Sequence, residues 1–322
     1  MSKPVLFAGT RPYGRAENVT ALYDAYNGEK KYVHVTGRNV HPDMESGKFD
    51  VLVIDDFPSV SPGKCIMIWH AIQGGKHIGY DQNHPYINEQ RVSKIDYIIA
   101  SGHGAVPMWS QSTRMPEDKI LPLGMPRTDA YIGKKKGDGH TELAGKISYL
   151  YVPTFRWLGE PNPVMLDYDW LDDQLHDDEI LAVKSHMAGY KILGKQYKHI
   201  IEIPNNVPSA PYLYDCDVVI TDYSSIIFDG YLLNKPSVLI EKSKRYLEVR
   251  GMYMQYPEQY SSLVANDDKT LLDYVRYAHD RNPVLGETEQ KCINLLADMC
   301  DGNSCDRICK LIDSLNGGVS NG

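Results

Sequence analysis

Val218-Val219-Ile220-Thr221-Asp222-Tyr223-Ser224-Ser225-Ile226-Ile227-Phe228-Asp229-Gly230-Tyr231-Leu232-Leu233-Asn234-Lys235-Pro236 is the stretch on which the reading of this chain turns. Val218 to Ile220 is the β-branched run of a strand buried on both faces. Ile226 to Leu233 reads as a helix, stopped by Asn234-Lys235-Pro236. Between them stand hydroxyls, one carboxylate and free backbone N–H groups. A strand feeding a helix N-terminus is where α/β proteins bind anions, because unpaired amides and the helix dipole point at the ligand. The same spacing fits a serine that only caps the helix, so the rest of the chain has to decide.

Outward from this stretch, apolar runs with strand character recur. In the first half they cover 4–8, 31–35, 51–54, 65–69, 96–100 and 119–123, each followed by Gly, Pro, Asn or Asp. A polar, glycine-rich stretch, 131–145 (YIGKKKGDGHTELAG), reads as a linker. A second series follows at 146–152, 180–184, 200–203, 217–220 and 237–240. Residues 269–277 and 287–315 read as closing helices, and the final GGVSNG as a disordered tail. This alternation predicts an α/β fold, two Rossmann-like domains facing a cleft lined by the carboxyl ends of their strands. The expected divisions are 1–140, 141–290, and 291–322 as a closing helix and disordered tail.

Composition narrows the class. The 322 residues are 42% hydrophobic and carry a net charge of −8, which argues against a general nucleic-acid-binding surface. The N-terminal MSKPVLFAGT has no signal-peptide pattern, and no apolar run approaches the roughly 20 residues of a membrane span. A cytoplasmic protein is expected. Cys65 and Cys216 read as buried thiols. The spacing of Cys292, Cys300, Cys305 and Cys309 matches no zinc pattern. The acidic run Asp172, Asp173, Asp177, Asp178 and Glu179 reads as a solvated face. No metal site and no cofactor are expected, and a P-loop is absent from the sequence.

Unusual residues cluster just after strands. His70, Gly74-Gly75 and Lys76 follow Cys65–Trp69, and a histidine there can accept a proton from a reacting hydroxyl or simply cap the sheet. Arg127 and Asp129 follow a short strand and either pair with each other or shape a cleft. In the second half, Thr154 and Arg156 follow one strand, Lys184 and His186 another, and Thr221 to Ser225 a third. Arg245 and Arg250 lie downstream among tyrosines. Hydroxyls, histidine and arginine at several strand ends fit a phosphorylated ligand.

The order of these motifs carries a resemblance. Trp69-His70, Leu123 to Asp129, Tyr151 to Arg156, Lys184 to His186, Ile220 to Asp229 and Arg250 to Tyr253 together resemble the CDP-glycerol glycerophosphotransferases, the teichoic-acid primase and polymerase family. The resemblance spans about residues 65 to 255. Ala71 stands where that family has glycine, Gly74-Gly75 where it has a proline region, and Met187 where it tends to proline.

The resemblance implies two Rossmann-like domains in the glycosyltransferase-B arrangement, an acceptor side first and a CDP-polyol side second. It implies transfer of glycerol phosphate or another polyol phosphate from a CDP-polyol to a hydroxyl of a wall or capsule polymer, with release of CMP. The acceptor would be a saccharide or lipid-linked saccharide, bringing the protein into peripheral contact with the inner face of the membrane. His70 would be the base. Thr221, Ser224, Ser225 and Arg250 would hold the donor phosphates with His186, while Lys76, Arg127, Asp129, Thr154, Arg156 and Asp222 are candidates for the cleft. The chain's length favours single addition over polymerisation. Two alternatives stay open: a nucleotide-sugar glycosyltransferase of the same fold, and a non-catalytic nucleotide-binding relative.

Overall fold

The computed structural model describes residues 3–12, 14, 17–36, 40–80, 87–154, 166–185, 193–241, 245–281 and 284–317, with only the backbone of 245 and 249. Arg156, His186 and most of the expected disordered tail lie outside them. The chain divides into two compact units, Met1–Ile132 with Asn294–Gly322, and Gly133–Ile293.

In the first unit, β1 (Val5–Gly9), β2 (Lys30–His34), β3 (Val51–Ile54), β4 (Lys64–Ile68), β5 (Tyr97–Ala100) and β6 (Ile120–Pro122) form one sheet in the order β2-β1-β3-β4-β5-β6. Every pairing is parallel. The central strands β1 and β3 are buried at every position, as strands covered on both faces must be, whereas edge strand β2 is largely solvated. Strand order reverses between β1 and β3.

The second unit holds β7 (Ile147–Tyr151), β8 (Glu179–Val183), β9 (Ile200–Glu202), β10 (Val218–Thr221), β11 (Ser237–Ile240) and β12 (Val264–Ala265), in the order β12-β11-β10-β7-β8-β9. These pairings too are parallel. Read from β9, this is the dinucleotide-binding order, and its direction reverses between β7 and β10. The opening stretch therefore supplies the strand at the switch point.

Two expectations change. Residues 291–322 are no separate closing piece: from Asn294 on the chain completes the first unit, and 291–293 belong to the second. Gly74 (φ +143°) and Gly124 (φ +88°) adopt a backbone that favours glycine, and a β-carbon on them would run into Leu296 and the Met299 carbonyl. Ser101 Oγ donates to Leu296 O (2.6 Å), sealing the same seam. The glycine-rich stretch contains the boundary between the units, as a linker should, and beyond that boundary it is anchored to the second unit. Asp215 accepts the N–H groups of Gly137, Gly139 and Thr141 at 2.8–3.0 Å, and Lys136 pairs with Asp217 at 2.5 Å. Finally, the acidic run is not wholly solvated. Glu179 is buried, and takes two bonds from Arg276 (2.9 and 2.6 Å) and one from Tyr149 (2.7 Å). Burial would raise its carboxyl, but these donors outweigh that and hold it down at about 2.

Candidate active site

At the second unit's switch point, the chain leaves β10 at Thr221 and turns through Asp222-Tyr223-Ser224-Ser225 into the helix Ile226–Leu232. Asp222 is 1% exposed, and its Oδ1 accepts the N–H of Thr154, beyond β7, and its own neighbour's, Tyr223 N, both at 2.7 Å. One carboxylate thus ties two strand ends together and winds the turn. Tyr256 Oη donates to Asp222 O at 3.1 Å. Behind the turn the rings are layered: Tyr223 stacks on Tyr246 (4.8 Å, 9°) and leans on Tyr256 (4.8 Å). These contacts hold the helix Arg245–Arg250 against the turn.

The serines answer the first question about this stretch. Ser224 and Ser225 are both partly exposed. Ser225 occupies the helix N-cap but makes no side-chain capping bond, so the plain capping role is not the one its hydroxyl plays. Thr221 differs: it is fully buried and donates its hydroxyl to Val152 O at 2.6 Å. That corrects its expected place among phosphate-facing groups, because its only proton fastens β10 to β7. Arg250 is partly buried, and its Nε is buried with no hydrogen-bond partner among the described residues.

In the first unit His70 stands one residue beyond Trp69 at the end of β4, exposed, its ring 4.2 Å from that of Trp69. Lys76 is partly buried in the glycine loop that follows. Arg127 and Asp129 do not pair with each other. Arg127 Nη1 donates to His70 O (2.8 Å) and Glu17 Oε2 (3.1 Å). Asp129 instead accepts Ser304 N (3.0 Å) and Cys305 N (2.7 Å), capping the helix Ser304–Leu315. Asp129 thus leaves the set of cleft candidates.

Sequence reading missed Asn18, Glu17, Asp55 and Tyr256. Asp55, 2% exposed at the end of β3, accepts Thr10 N (2.8 Å) and Thr10 Oγ1 (3.1 Å) across the β1/β3 switch point. Burial raises its carboxyl to about 6 against those two bonds. Among the described residues no group of three or more His, Cys, Asp or Glu could hold a metal ion.

Residues 47–314 match the model of the family described as CDP-Glycerol:Poly(glycerophosphate) glycerophosphotransferase. The teichoic acid ribitol-phosphate primase of Bacillus spizizenii is 29% identical over 82% of this chain and 75% of its own length. The teichoic acid glycerol-phosphate primase of Bacillus subtilis is 26% identical over 78% of this chain and 68% of its own. In fold, the chain is similar to the wall teichoic acid polymerase TagF, with a TM-score of 0.75 at 19% identity over 98% of this chain and 89% of that one.

Proposed function

The chain belongs to the CDP-glycerol:poly(glycerophosphate) glycerophosphotransferase family, and we propose that it moves a polyol phosphate from a CDP-polyol to a hydroxyl of a teichoic-acid-type polymer, releasing CMP. The observation that carries the residue assignment is the switch-point turn. Ser225 sits at a helix start with a hydroxyl not spent on capping, and Arg250 brings a guanidinium whose buried Nε has no partner among the described residues. We assign Ser224, Ser225 and Arg250 to the donor pyrophosphate, with His186 of the neighbouring Lys-x-His motif. Thr154 and Asp222 shape that turn and do not react.

His70 is assigned as the base that takes the acceptor hydroxyl proton while oxygen attacks the β-phosphorus and the bond to CMP breaks. An exposed imidazole at a strand end suits proton transfer near neutral pH. Phosphoryl transfer needs alignment and stabilised oxygen charge, and charged side chains fill that part here. The proposal includes no resident cofactor or metal, and turnover is expected to survive dialysis against EDTA. Lys76 and Arg156 remain among the groups assigned to meet substrate.

The finer acceptor assignment is a lipid-linked saccharide met at the inner face of the membrane by peripheral contact. No helix of the described residues is long and apolar enough to cross a membrane. Of the three linker lysines, Lys136 is engaged by Asp217, while Lys134 and Lys135 are exposed.

Calorimetry with CDP-glycerol, CDP-ribitol, UDP-glucose and CMP in parallel tests the reading. Selective binding of one CDP-polyol is the expected result and names the donor. Preference for UDP-glucose overturns it.

A further inference from the structure

We propose that Asn18 and Arg127 are positioning residues for His70, a brace that fixes the base from behind; this rests on the reading of His70 as the base. The last paired residue of β4 is Ile68, opposite Ile99. Trp69 and His70 therefore lie past the end of the ladder. Both carbonyls are nevertheless held. Asn18 Nδ2 donates to Trp69 O at 2.7 Å and Arg127 Nη1 to His70 O at 2.8 Å.

The two holders are themselves joined. Asn18 Oδ1 accepts Arg127 N at 3.1 Å, and Arg127 Nη1 also reaches Glu17 Oε2 at 3.1 Å. Asn18 is 1% exposed, so its amide serves this network and no ligand. Glu17 and Asn18 open the helix Glu17–Ala25, and Arg127 lies in the 3-10 turn Pro126–Tyr131. Asp129, in the same turn, is anchored to the N-terminus of the helix Ser304–Leu315. The brace thus runs from the C-terminal helix to the peptide that carries the imidazole. Holding that peptide fixes the backbone from which the exposed ring projects. A displacement of about 1 Å at a reacting group costs on the order of a hundredfold in rate.

The test uses Arg127→Lys, Arg127→Ala and Asn18→Ala in the full chain. CMP release is followed with the CDP-polyol that calorimetry selects and a synthetic glycerol phosphate oligomer as acceptor. A lysine cannot span Glu17 and the His70 carbonyl together, so Arg127→Lys is expected to lose about tenfold in kcat and Arg127→Ala on the order of a hundredfold. Donor Kd should not move. The His70 Cε1–Hε1 resonance, assigned by its loss in His70→Ala, should shift in all three variants. Variants with wild-type kcat and an unmoved His70 resonance would overturn the brace, as would kcat falling only in step with donor affinity. Should Asn18→Ala fail to fold, Arg127→Lys carries the test alone. If His70→Ala itself keeps turnover, the base assignment fails, and the resonance still reports whether the brace holds the ring.

Discussion

The two units solve the same topological problem with the same pair of residue types and put it to different use. At each switch point an aspartate just past one strand accepts the backbone N–H of a threonine past its neighbour: Asp55 from Thr10, Asp222 from Thr154. In the first unit both carboxylate oxygens are spent on that one threonine, N–H and hydroxyl. The result is a clasp that closes β1 against β3. In the second unit the same Oδ1 also takes Tyr223 N. That second bond turns the chain, so that Ser224 and Ser225 come out partly exposed beyond β10 instead of continuing a strand. On the proposed reading, a clasp thereby becomes a binding turn. In the first unit the proposed base, His70, lies elsewhere, beyond β4, where Asn18 and Arg127 donate to the carbonyls of Trp69 and His70. One bond moved from hydroxyl to neighbouring amide separates the fastening from the proposed site.

The largest test of this division is His70→Ala. If chemistry belongs to the first unit and donor binding to the second, kcat falls by about 10²–10⁴-fold, the usual worth of a general base, while calorimetry returns an unchanged Kd for the CDP-polyol. Unchanged turnover would remove His70 from the mechanism.

Next in size is a pH effect confined to the first clasp. Burial raises Asp55 to about 6, above its unfolded value. The unfolded chain then ionises it more easily, so the folded state loses stability as pH climbs from about 4 to about 6, by on the order of 3 kcal/mol. Asp55→Asn removes that slope. Urea melts at half-unit intervals from pH 4 to 7 should show a flatter stability curve in the variant and an unaltered donor Kd. An identical slope in both proteins would deny that the carboxyl is strained by burial.

How much of this was legible before the fold was known follows from the range of each interaction. Eleven of the strands declare themselves as short apolar runs between turn residues, because each is read from its own neighbours. β12 does not, being only Val264–Ala265 at a sheet edge. The switch-point turn was visible because Asp222, Ser224 and Ser225 are nearly consecutive. Its partner Thr154 lies 68 residues away, and nothing local marks the pairing. Asn18 is less visible still, one polar residue in a helical pattern whose target is a carbonyl 51 residues on. Arg127 and Asp129 look like a pair in sequence, but find partners in a different helix each. Thr221 shows the opposite failure: next to true candidates, it is read as one of them until its hydroxyl is seen to close on Val152. Arg156 and His186 fall outside the described residues and rest on sequence alone.

Arg250→Ala sharpens the second half of the comparison. A guanidinium bonded to phosphate is worth about 1.5–3 kcal/mol, so donor Kd should rise about 10–100-fold, with kcat at saturating donor less affected. Arg250→Lys is expected to recover part of this, since the charge returns without the planar fork. Donor affinity equal to wild type in Arg250→Ala would move the pyrophosphate away from the Tyr223–Tyr246 stack.

The smallest effect bears on the serine with which the sequence reading began. A serine that caps a helix and does nothing else loses about 1 kcal/mol of stability when replaced by alanine and leaves ligand binding alone. Ser225 makes no capping bond, so Ser225→Ala should do the opposite on each count. The melting temperature stays put, and donor Kd rises by about five- to tenfold, the net worth of one ordinary hydrogen bond. The two outcomes occupy different instruments and cannot be confused. A fallen melting temperature with untouched affinity would return this residue to the capping role and leave Ser224 and Arg250 to hold the phosphates. A weakened Kd at constant stability would put the Ser225 hydroxyl on the donor, in the turn where the second clasp departs from the first by its bond to Tyr223 N.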